Sequence, residues 1–388
     1  MIIPLKPYLI IPEFIEQPTW GGNYIVNFKK LGNTVFARKK IGQSYELYSG
    51  SCLTPAVSSD DPSCIPHTAS PHGSSLKLSD LVLQSPVSVL GTNSLRVFGN
   101  ALKTLIKFTQ AKGNSFQLHV KEGTTGNKWL PKPESWYFLE KGLATVGITD
   151  QSKLTDYRKS AERIEAKMNQ LSQAILNKTV TLAHARQRAT EYIRKEDIYH
   201  YVNSVTIPAN TIVDIHRGGI HHSWEEDDRN LPNGNIVYEV QVEANDEKST
   251  IRSFDKGKIK DDGTIRPVQI GDYFTYLDPS PQANTPSLFL AKPTELFADN
   301  ACRVESIFKT PYYSMHRIIM RKSTMNNYTA PEGTSFHHVF VLNGRIELTY
   351  RTVTISVGVG YSVFIPAVCS SYRLTPKTPE AILLTTFI

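Results

Sequence analysis

The sequence predicts a mainly β protein made of two β units, with a helical insertion in the first. Two observations lead to this fold class. Short runs of β-forming residues separated by Gly, Asn, Pro and Lys recur through the chain, a spacing typical of antiparallel sheets. One stretch instead repeats its apolar residues at helical intervals. With 388 residues, 40% of them hydrophobic and 20% charged, the chain is long enough for two domains, and its composition excludes disordered and collagen-like proteins.

The predicted strands of the first unit follow one another from residue 24 onward. They cover residues 24–28, 44–48, 104–108, 115–120, 135–139, 144–148, 204–215 and 235–242, with a further strand around Tyr273. The segment 51–75, rich in Ser, Pro and His, has the composition of a solvated loop. We expect this first domain to span residues 1–280, because residues 278–286 contain three prolines and are typical of a linker.

A helical insertion at about residues 155–197 interrupts the strands. Its apolar residues recur at steps of three and four, which places them on one face of a helix: Tyr157, Ala161, Ile164, Met168, Leu171 and Ile175. Residues 179–193 predict a second helix. We expect the apolar face to pack on the neighbouring sheet.

The second β unit is expected at residues 287–388. Its predicted strands cover residues 304–321, 336–342, 345–350, 352–357 and 362–366. The pair Asn343-Gly344 between two of them predicts a hairpin turn.

Charge and cysteine content narrow the class of function. The net charge of +7 favours an anionic partner. Because the basic residues are scattered, with no cluster longer than residues 38–40, we expect no nucleic-acid partner. The four cysteines form no CxxC pair, and the N-terminal residues lack the features of a signal peptide, which favours a cytoplasmic protein. The long uncharged stretch 352–372 is broken by Gly and Pro, so we predict no membrane span.

A set of candidate metal ligands lies on the predicted strands. Gln117 and His119 are two residues apart on a strand and therefore point to the same face. Glu134 opens the next strand, and the pair His221-His222 follows the strand 204–215. Such a mixed set of nitrogen and oxygen donors suits zinc. A lone Gln-x-His is more often a hydrogen-bonded core pair, so this interpretation depends on the sheets closing into one barrel.

These residues also carry a resemblance to a known family. The segments Ser115-Phe116-Gln117-Leu118-His119 and Lys132-Pro133-Glu134-Ser135-Trp136-Tyr137 resemble the Ser-x-Gln-x-His and Lys-x-Glu-x-Trp-Tyr motifs of the type I phosphomannose isomerase family. Further similar segments keep the family's order over residues 8–275: Trp20-Gly21-Gly22, Ile41-Gly42-Gln43-Ser44-Tyr45-Glu46, Leu105-Ile106-Lys107-Phe108, Tyr238-Glu239-Val240-Gln241 and Ser249-Thr250-Ile251-Arg252-Ser253-Phe254-Asp255.

The resemblance implies two cupin (jelly-roll) β-barrel domains and one Zn²⁺ per chain. It assigns the metal to Gln117, His119, Glu134 and a later histidine. Aligning the residues from Val205 onward with the family pattern places His221 at the ligand position, with His222 as the alternative, and puts His216 on the turn. The activity implied is the interconversion of mannose 6-phosphate and fructose 6-phosphate through a cis-enediolate.

The resemblance and the chemistry together suggest further roles. Arg252 is expected to hold phosphate or enediolate oxygens, the alternative being a surface ion pair with Asp255. Glu239 is the favoured proton-transfer group and Lys132 the alternative. The Ser115 hydroxyl is a candidate phosphate ligand.

The second domain resembles a cupin that lacks metal ligands. It carries His337 and His338, but Cys369 stands roughly where a further ligand histidine would be expected.

Some positions depart from the family pattern. Val120 and His216-Arg217 replace family prolines and an alanine, and residues 224–234 lengthen a loop. Because loops set substrate specificity, two alternatives remain: isomerisation of another, possibly unphosphorylated, sugar, or sugar binding without catalysis.

Overall fold

The computed structural model describes residues 3–54, 76–124, 128–223, 229–321, 328–329, 334–369 and 371–388, with the backbone alone at 222–223 and 328–329. The fold is mainly β, with two jelly-roll barrels and a helical insertion in the first, as the sequence predicts. The predicted loop at 51–75 lies largely outside the described residues.

Twenty-five strands form within the described residues. They are β1 (Tyr8–Ile11), β2 (Glu13–Glu16), β3 (Ile41–Leu47), β4 (Cys52–Thr54), β5 (Leu76–Lys77), β6 (Thr104–Ala111), β7 (Phe116–His119), β8 (Glu134–Phe138), β9 (Gly142–Ile148), β10 (Val202–Ile207), β11 (Thr211–Asp214), β12 (Gly219–Ser223), β13 (Asn235–Val242), β14 (Ile251–Phe254), β15 (Leu290–Ala291), β16 (Thr294–Ala298), β17 (Cys302–Lys309), β18 (Ser314–Arg321), β19 (Tyr328–Thr329), β20 (His337–Asn343), β21 (Arg345–Tyr350), β22 (Val353–Gly358), β23 (Ser362–Ile365), β24 (Arg373–Pro376) and β25 (Glu380–Phe387).

The α-helices of the same residues are mostly short. They are α1 (Tyr24–Phe28), α2 (Leu78–Gln84), α3 (Pro86–Phe98), α4 (Leu154–Leu176), α5 (Leu182–Glu196), α6 (Asp246–Ser249), α7 (Ile270–Tyr276) and α8 (Pro281–Asn284). None of the helices in the described part of the chain has both the length and the apolar character needed to cross a membrane.

Each barrel is formed by two antiparallel sheets. The first barrel combines a seven-stranded sheet, in the order β15-β11-β8-β13-β6-β3-β2, with a five-stranded sheet, in the order β10-β9-β12-β7-β14. The second barrel combines the nine-stranded sheet β16-β17-β18-β25-β20-β23-β1-β4-β5 with the four-stranded sheet β19-β24-β21-β22. The N-terminal strand β1 thus joins the second barrel, pairing Leu9 with Val363 of β23. We retain the division of the chain at residues 280–287 as a proposal.

Helices α4 and α5 form the predicted insertion. Tyr157, Ile164 and Met168 of α4 are buried in one core cluster with Phe254 of β14 and Tyr273 of α7. The apolar face therefore packs on the first barrel, as expected from its spacing. Helices α2 and α3 were not among the predicted elements.

Two local predictions are wrong, and in each case tertiary contacts override local preference. Residues 24–28 form helix α1, which buries the adjacent Ile25 and Val26 in the core between the barrels. The segment around Tyr273 forms helix α7, where the ring of Tyr273 packs edge-on against Tyr157 at 6.2 Å between centroids. The expected linker at residues 278–286 contains the short helix α8, and its role as a linker stays a prediction.

The predicted hairpin at Asn343-Gly344 is also wrong. The strands on either side of it, β20 and β21, belong to different sheets, so the turn carries the chain from one sheet to the other. Gly344 has φ 74°, and a Cβ atom there would lie 2.2 Å from the Glu380 carbonyl oxygen, which explains the glycine. The hairpin lies one strand later, between β21 and β22, with Arg351 at φ 50°.

Candidate metal centre and adjoining cavity

Three buried side chains converge between the two sheets of the first barrel. His119 on β7 and His221 on β12 come from adjacent strands of the five-stranded sheet, and Glu134 on β8 comes from the seven-stranded sheet. One donor atom from each lies within 4.8 Å of the other two. The His119 Nε2 atom is 3.4 Å from Glu134 Oε2. The barrel thus closes around these residues, the condition on which the sequence-based interpretation depended.

Backbone carbonyls orient both imidazoles. His119 Nδ1 lies 2.7 Å from the Ser249 carbonyl oxygen, and His221 Nδ1 lies 3.2 Å from the Gly219 carbonyl oxygen. Each carbonyl requires the hydrogen on Nδ1, which leaves Nε2 as the lone-pair donor. Both Nε2 atoms are buried and have no hydrogen-bond partner among the described residues. This combination is typical of metal-ligating histidines.

The charge states of the three groups suit a divalent cation. Burial lowers the pKa of His119, and burial together with the nearby His119 lowers the pKa of His221 to about 3, so both rings are neutral at neutral pH. Burial alone would raise the pKa of Glu134, but Lys132, with Nζ 3.3 Å from Glu134 Oε2, brings it well below its ordinary value. Two neutral imidazoles and one carboxylate form a donor set that zinc accepts.

Gln117 faces the same side as these donors. On β7 it pairs directly with His221 of β12 on one side and with Arg252 of β14 on the other, and paired residues point to the same face of a sheet. Its amide nitrogen lies 3.3 Å from the Ser115 hydroxyl. That bond uses the nitrogen rather than the amide oxygen, the atom that a metal would take.

A cavity of about 540 Å³ opens beside the three donors. Its wall includes six of the eight predicted site residues: Ser115, Gln117, Lys132, Glu134, Glu239 and Arg252. The other two, His119 and His221, are buried behind this wall, where His119 contacts Glu134. The structure therefore brings all eight residues to one location.

Glu239 lies in the cavity wall beside a lysine to which the sequence analysis assigned no role. Lys107 Nζ, on the neighbouring strand β6, is 3.2 Å from Glu239 Oε2 and 2.7 Å from Gln241 Oε1. Burial raises the pKa of Glu239 even though Lys107 acts to lower it. Lys107 was already part of a segment similar to the family. Its alternation with the apolar Ile106 and Phe108 was a signal that it points into the barrel.

Asp246 is a second residue that the sequence analysis missed. The guanidinium group of Arg252 donates to its carboxylate and, at 3.3 Å, to the Thr250 carbonyl oxygen. Lys132 Nζ lies 3.6 Å from Asp246 Oδ1. The alternative of an Arg252–Asp255 ion pair is not what the structure shows, since Asp255 pairs with Arg266 at 3.7 Å. Asp246 lies on the short helix α6, which no periodic pattern marked.

His216, another histidine of the motif region, is not part of the metal-ligand cluster. His216 Nδ1 lies 2.8 Å from Asp214 Oδ1 at the turn between β11 and β12. The side chain of His222 and residues 224–228 of the lengthened loop lie outside the described residues.

No protein-family model matches this sequence, and no curated protein matches it either. The fold, however, is similar to that of solved mannose 6-phosphate isomerases. The crystal structure of the enzyme from Bacillus subtilis superposes with a TM-score of 0.67 at 15% identity, covering 99% of this chain and 100% of that one. The structure from Salmonella typhimurium bound to substrate (f6p) and zinc has a TM-score of 0.63 at 13% identity, covering 98% and 99%. At these identities the similarity shows a shared fold over nearly the full length of both chains.

Proposed function

We propose that the protein is a zinc-dependent aldose–ketose isomerase that interconverts mannose 6-phosphate and fructose 6-phosphate. The observation that carries this proposal is the convergence of His119, Glu134 and His221 at the wall of a cavity also lined by a buried acid and an anchored arginine. The shared fold with isomerases solved with zinc and a sugar phosphate supports it.

The first part of the proposal concerns the metal. His119, His221 and Glu134 would hold one Zn²⁺ per chain, with the Gln117 amide oxygen as the fourth protein ligand. The carbonyl groups of Ser249 and Gly219 engage Nδ1 of the two rings, so both Nε2 atoms would be free to bind the ion. When bound, zinc supplies positive charge that stabilises the negative charge developing on two adjacent sugar oxygens.

The second part concerns proton transfer between C1 and C2 of the sugar. We assign it to Glu239, because this carboxyl group lies in the cavity wall and burial moves its pKa toward neutrality, where a general base works best. The contact with Lys107 favours the charged form of the group and holds it in place. Lys132 remains the alternative. It ranks second because its ammonium group already contacts the carboxylates of Glu134 and Asp246.

The third part concerns substrate recognition. Asp246 and the Thr250 carbonyl group fix the guanidinium of Arg252, which can then hold two substrate oxygens through a forked pair of hydrogen bonds. We assign Ser115 to the phosphate, since it accepts a bond from Gln117 and keeps its own proton to donate. Three more cations line the same cavity, Lys258, Lys260 and Arg266, and they favour a phosphorylated over a free sugar.

A coupled assay with mannose 6-phosphate, with and without a chelator, tests the proposal. The purified protein is expected to contain about one zinc per chain. Chelation should abolish isomerisation and added zinc should restore it. Activity that survives complete metal removal would contradict the zinc mechanism. Turnover of free mannose as fast as mannose 6-phosphate would contradict the assignment of a phosphate site.

A further inference from the structure

A second cavity, which we call the basic groove, adjoins the substrate cavity. It has a volume of about 660 Å³. Its wall shares Pro18, Thr19, Lys258 and Asp261 with the wall of the substrate cavity. Because these four residues line both, a ligand in one cavity lies next to a ligand in the other.

The basic groove carries an excess of positive charge. Five cations from three separate parts of the chain line it: Arg38, Lys40, Arg186, Lys256 and Lys258. Against them stand two carboxylates, Glu16 and Asp261. A concave surface with such an excess attracts anions.

Both carboxylates of the groove already have cationic partners. Glu16 pairs at 3.0 Å with Lys39, which is not part of the groove wall, and Asp261 pairs at 2.8 Å with Arg186. The side chains of Arg38 and Lys40 are exposed and make no ion pair or hydrogen bond with the described residues. Their charges therefore remain available to a ligand.

The helical insertion holds the groove in shape. Arg186 of α5 donates from Nη2 to the Ile259 carbonyl oxygen at 2.6 Å, which ties the helix to the loop 256–261. In that loop Gly257 has φ +66°, and a Cβ atom there would lie 2.4 Å from Cδ1 of Ile193 on α5. This close packing fixes a loop that contributes Lys258 to both cavities. The part of the groove wall formed by this loop is thus preformed, which lowers the entropic cost of binding there.

We propose that the basic groove binds a second anionic group of the phosphate class beside the substrate cavity. Anion binding in the groove follows from the groove's own charge and shape, and only the choice of a sugar bisphosphate as its source rests on the proposed function. The bound phosphate group could come from two sources. It could be the second phosphate of a sugar bisphosphate whose ring occupies the substrate cavity, or a separate inorganic phosphate.

Calorimetric titration with inorganic phosphate, at low and constant ionic strength, tests the proposal on the full-length zinc-loaded protein. The variant Arg38→Ala/Lys40→Ala removes the two unpaired cations. The matched control Lys103→Ala/Lys141→Ala removes the same charge from exposed lysines that do not line the groove. We expect phosphate binding about tenfold weaker in the first variant and within about twofold of the wild type in the control. All four side chains are at least partly exposed, so circular dichroism should show an unchanged fold.

The proposal is overturned if the two variants titrate alike, or if wild-type protein binds no phosphate. A comparison of fructose 6-phosphate with fructose 1,6-bisphosphate distinguishes the two sources. Tighter binding of the bisphosphate, lost in Arg38→Ala/Lys40→Ala, identifies a second phosphate on one ligand. Phosphate binding to protein saturated with fructose 6-phosphate identifies a separate anion. Failure of the isomerase assay would leave the phosphate titration unaffected, so the two proposals can fail independently.

Discussion

Each of the two barrels buries a histidine whose ring is neutral, but the neighbouring residues differ between the barrels. Burial lowers the pKa of His221 in the first barrel and of His338 in the second to about 3. In both, the Nε2 atom is buried without a hydrogen-bond partner among the described residues. Desolvation, the largest cause in both cases, therefore favours neutral imidazoles in the two barrels.

The difference lies in what surrounds each ring. His221 has His119 and Glu134 within 4.8 Å, whereas His338 Nδ1 lies 3.4 Å from the Tyr238 hydroxyl group. Cys369, the residue at the expected ligand position, directs its Sγ atom to the Leu5 carbonyl oxygen at 3.6 Å. A buried histidine becomes a metal ligand only where other donors converge with it.

The buried carboxylate of Glu46 already has a cationic partner. Glu46 pairs at 2.7 Å with Lys29, and both side chains are almost completely buried. Glu46 also accepts bonds from Ser44 at 2.6 Å and from Ser362 at 3.0 Å. The Ser362–Glu46 hydrogen bond joins β23 of the second barrel to β3 of the first, so Glu46 takes part in the contact between the barrels rather than in a cation site.

The largest expected effect comes from removing metal donors. His119→Ala or Glu134→Ala should abolish zinc binding and lower kcat/KM to below about one-thousandth, because a lost ligand removes the charge that stabilises the enediolate. His338→Asn should retain about one zinc per chain. Metal analysis and the coupled assay measure both quantities. Zinc loss in His338→Asn with an intact fold would contradict the distinction between the barrels.

Substitutions in the buried Lys29–Glu46 ion pair should lower stability without affecting zinc binding. Lys29→Ala leaves Glu46 charged and unpaired in the interior, and we expect it to lower the free energy of unfolding by about 3–5 kcal/mol. The zinc content of the folded fraction should not change. Urea unfolding gives the free energy. The apolar replacement Lys29→Met/Glu46→Leu serves as the control and should recover most of the stability, since no charge is left buried.

Substitution of two comparably buried arginines should distinguish a catalytic role from a structural one. Arg252→Ala should keep zinc and lower kcat by about 10²–10³-fold, the cost of about 2.7–4 kcal/mol seen for one lost transition-state donor. Arg317 of the second barrel, with 15% of its side chain exposed against 12% for Arg252, pairs with Glu305. Arg317→Ala should reduce stability but leave kcat nearly unchanged. Equal loss of kcat in both variants would argue against the role assigned to Arg252.

The smallest expected effect is the change in the free energy of unfolding per unit of pH. Because His338 stays neutral in the folded protein to about pH 3, only the unfolded chain binds its proton between pH 6.5 and about 3. Stability should therefore fall as the pH drops below 6.5, with a contribution of about 1.4 kcal/mol per pH unit from this group. His338→Asn should reduce the slope of unfolding free energy against pH by about that amount. The groups that face His338 are Tyr238, Glu46 and Lys29. An unchanged slope would show that His338 is already protonated in the native state.

Much of the fold and of the candidate site follows from short-range patterns in the sequence. Alternation along a strand places Gln117 and His119 on one face, and strand β13 occupies the predicted residues 235–242. The helical spacing of residues 155–178 predicts α4, which covers Leu154–Leu176. These features depend on residues only two to four positions apart, so the sequence alone determines them.

Other features depend on residues far apart in the chain, and only the tertiary structure decided them. It placed β1 in the second barrel and made the turn at Gly344 cross between sheets. It paired Lys132 with Asp246 and Glu239 with Lys107, choices that no spacing along the sequence specifies. The physical reason is that strand pairing and charge contacts are selected by the total free energy of the closed barrel. Local preference determines only whether a segment forms a strand or a helix, and the packing of the barrel determines where that element lies. At α1 and α7 the packing also overrides the local preference for a strand.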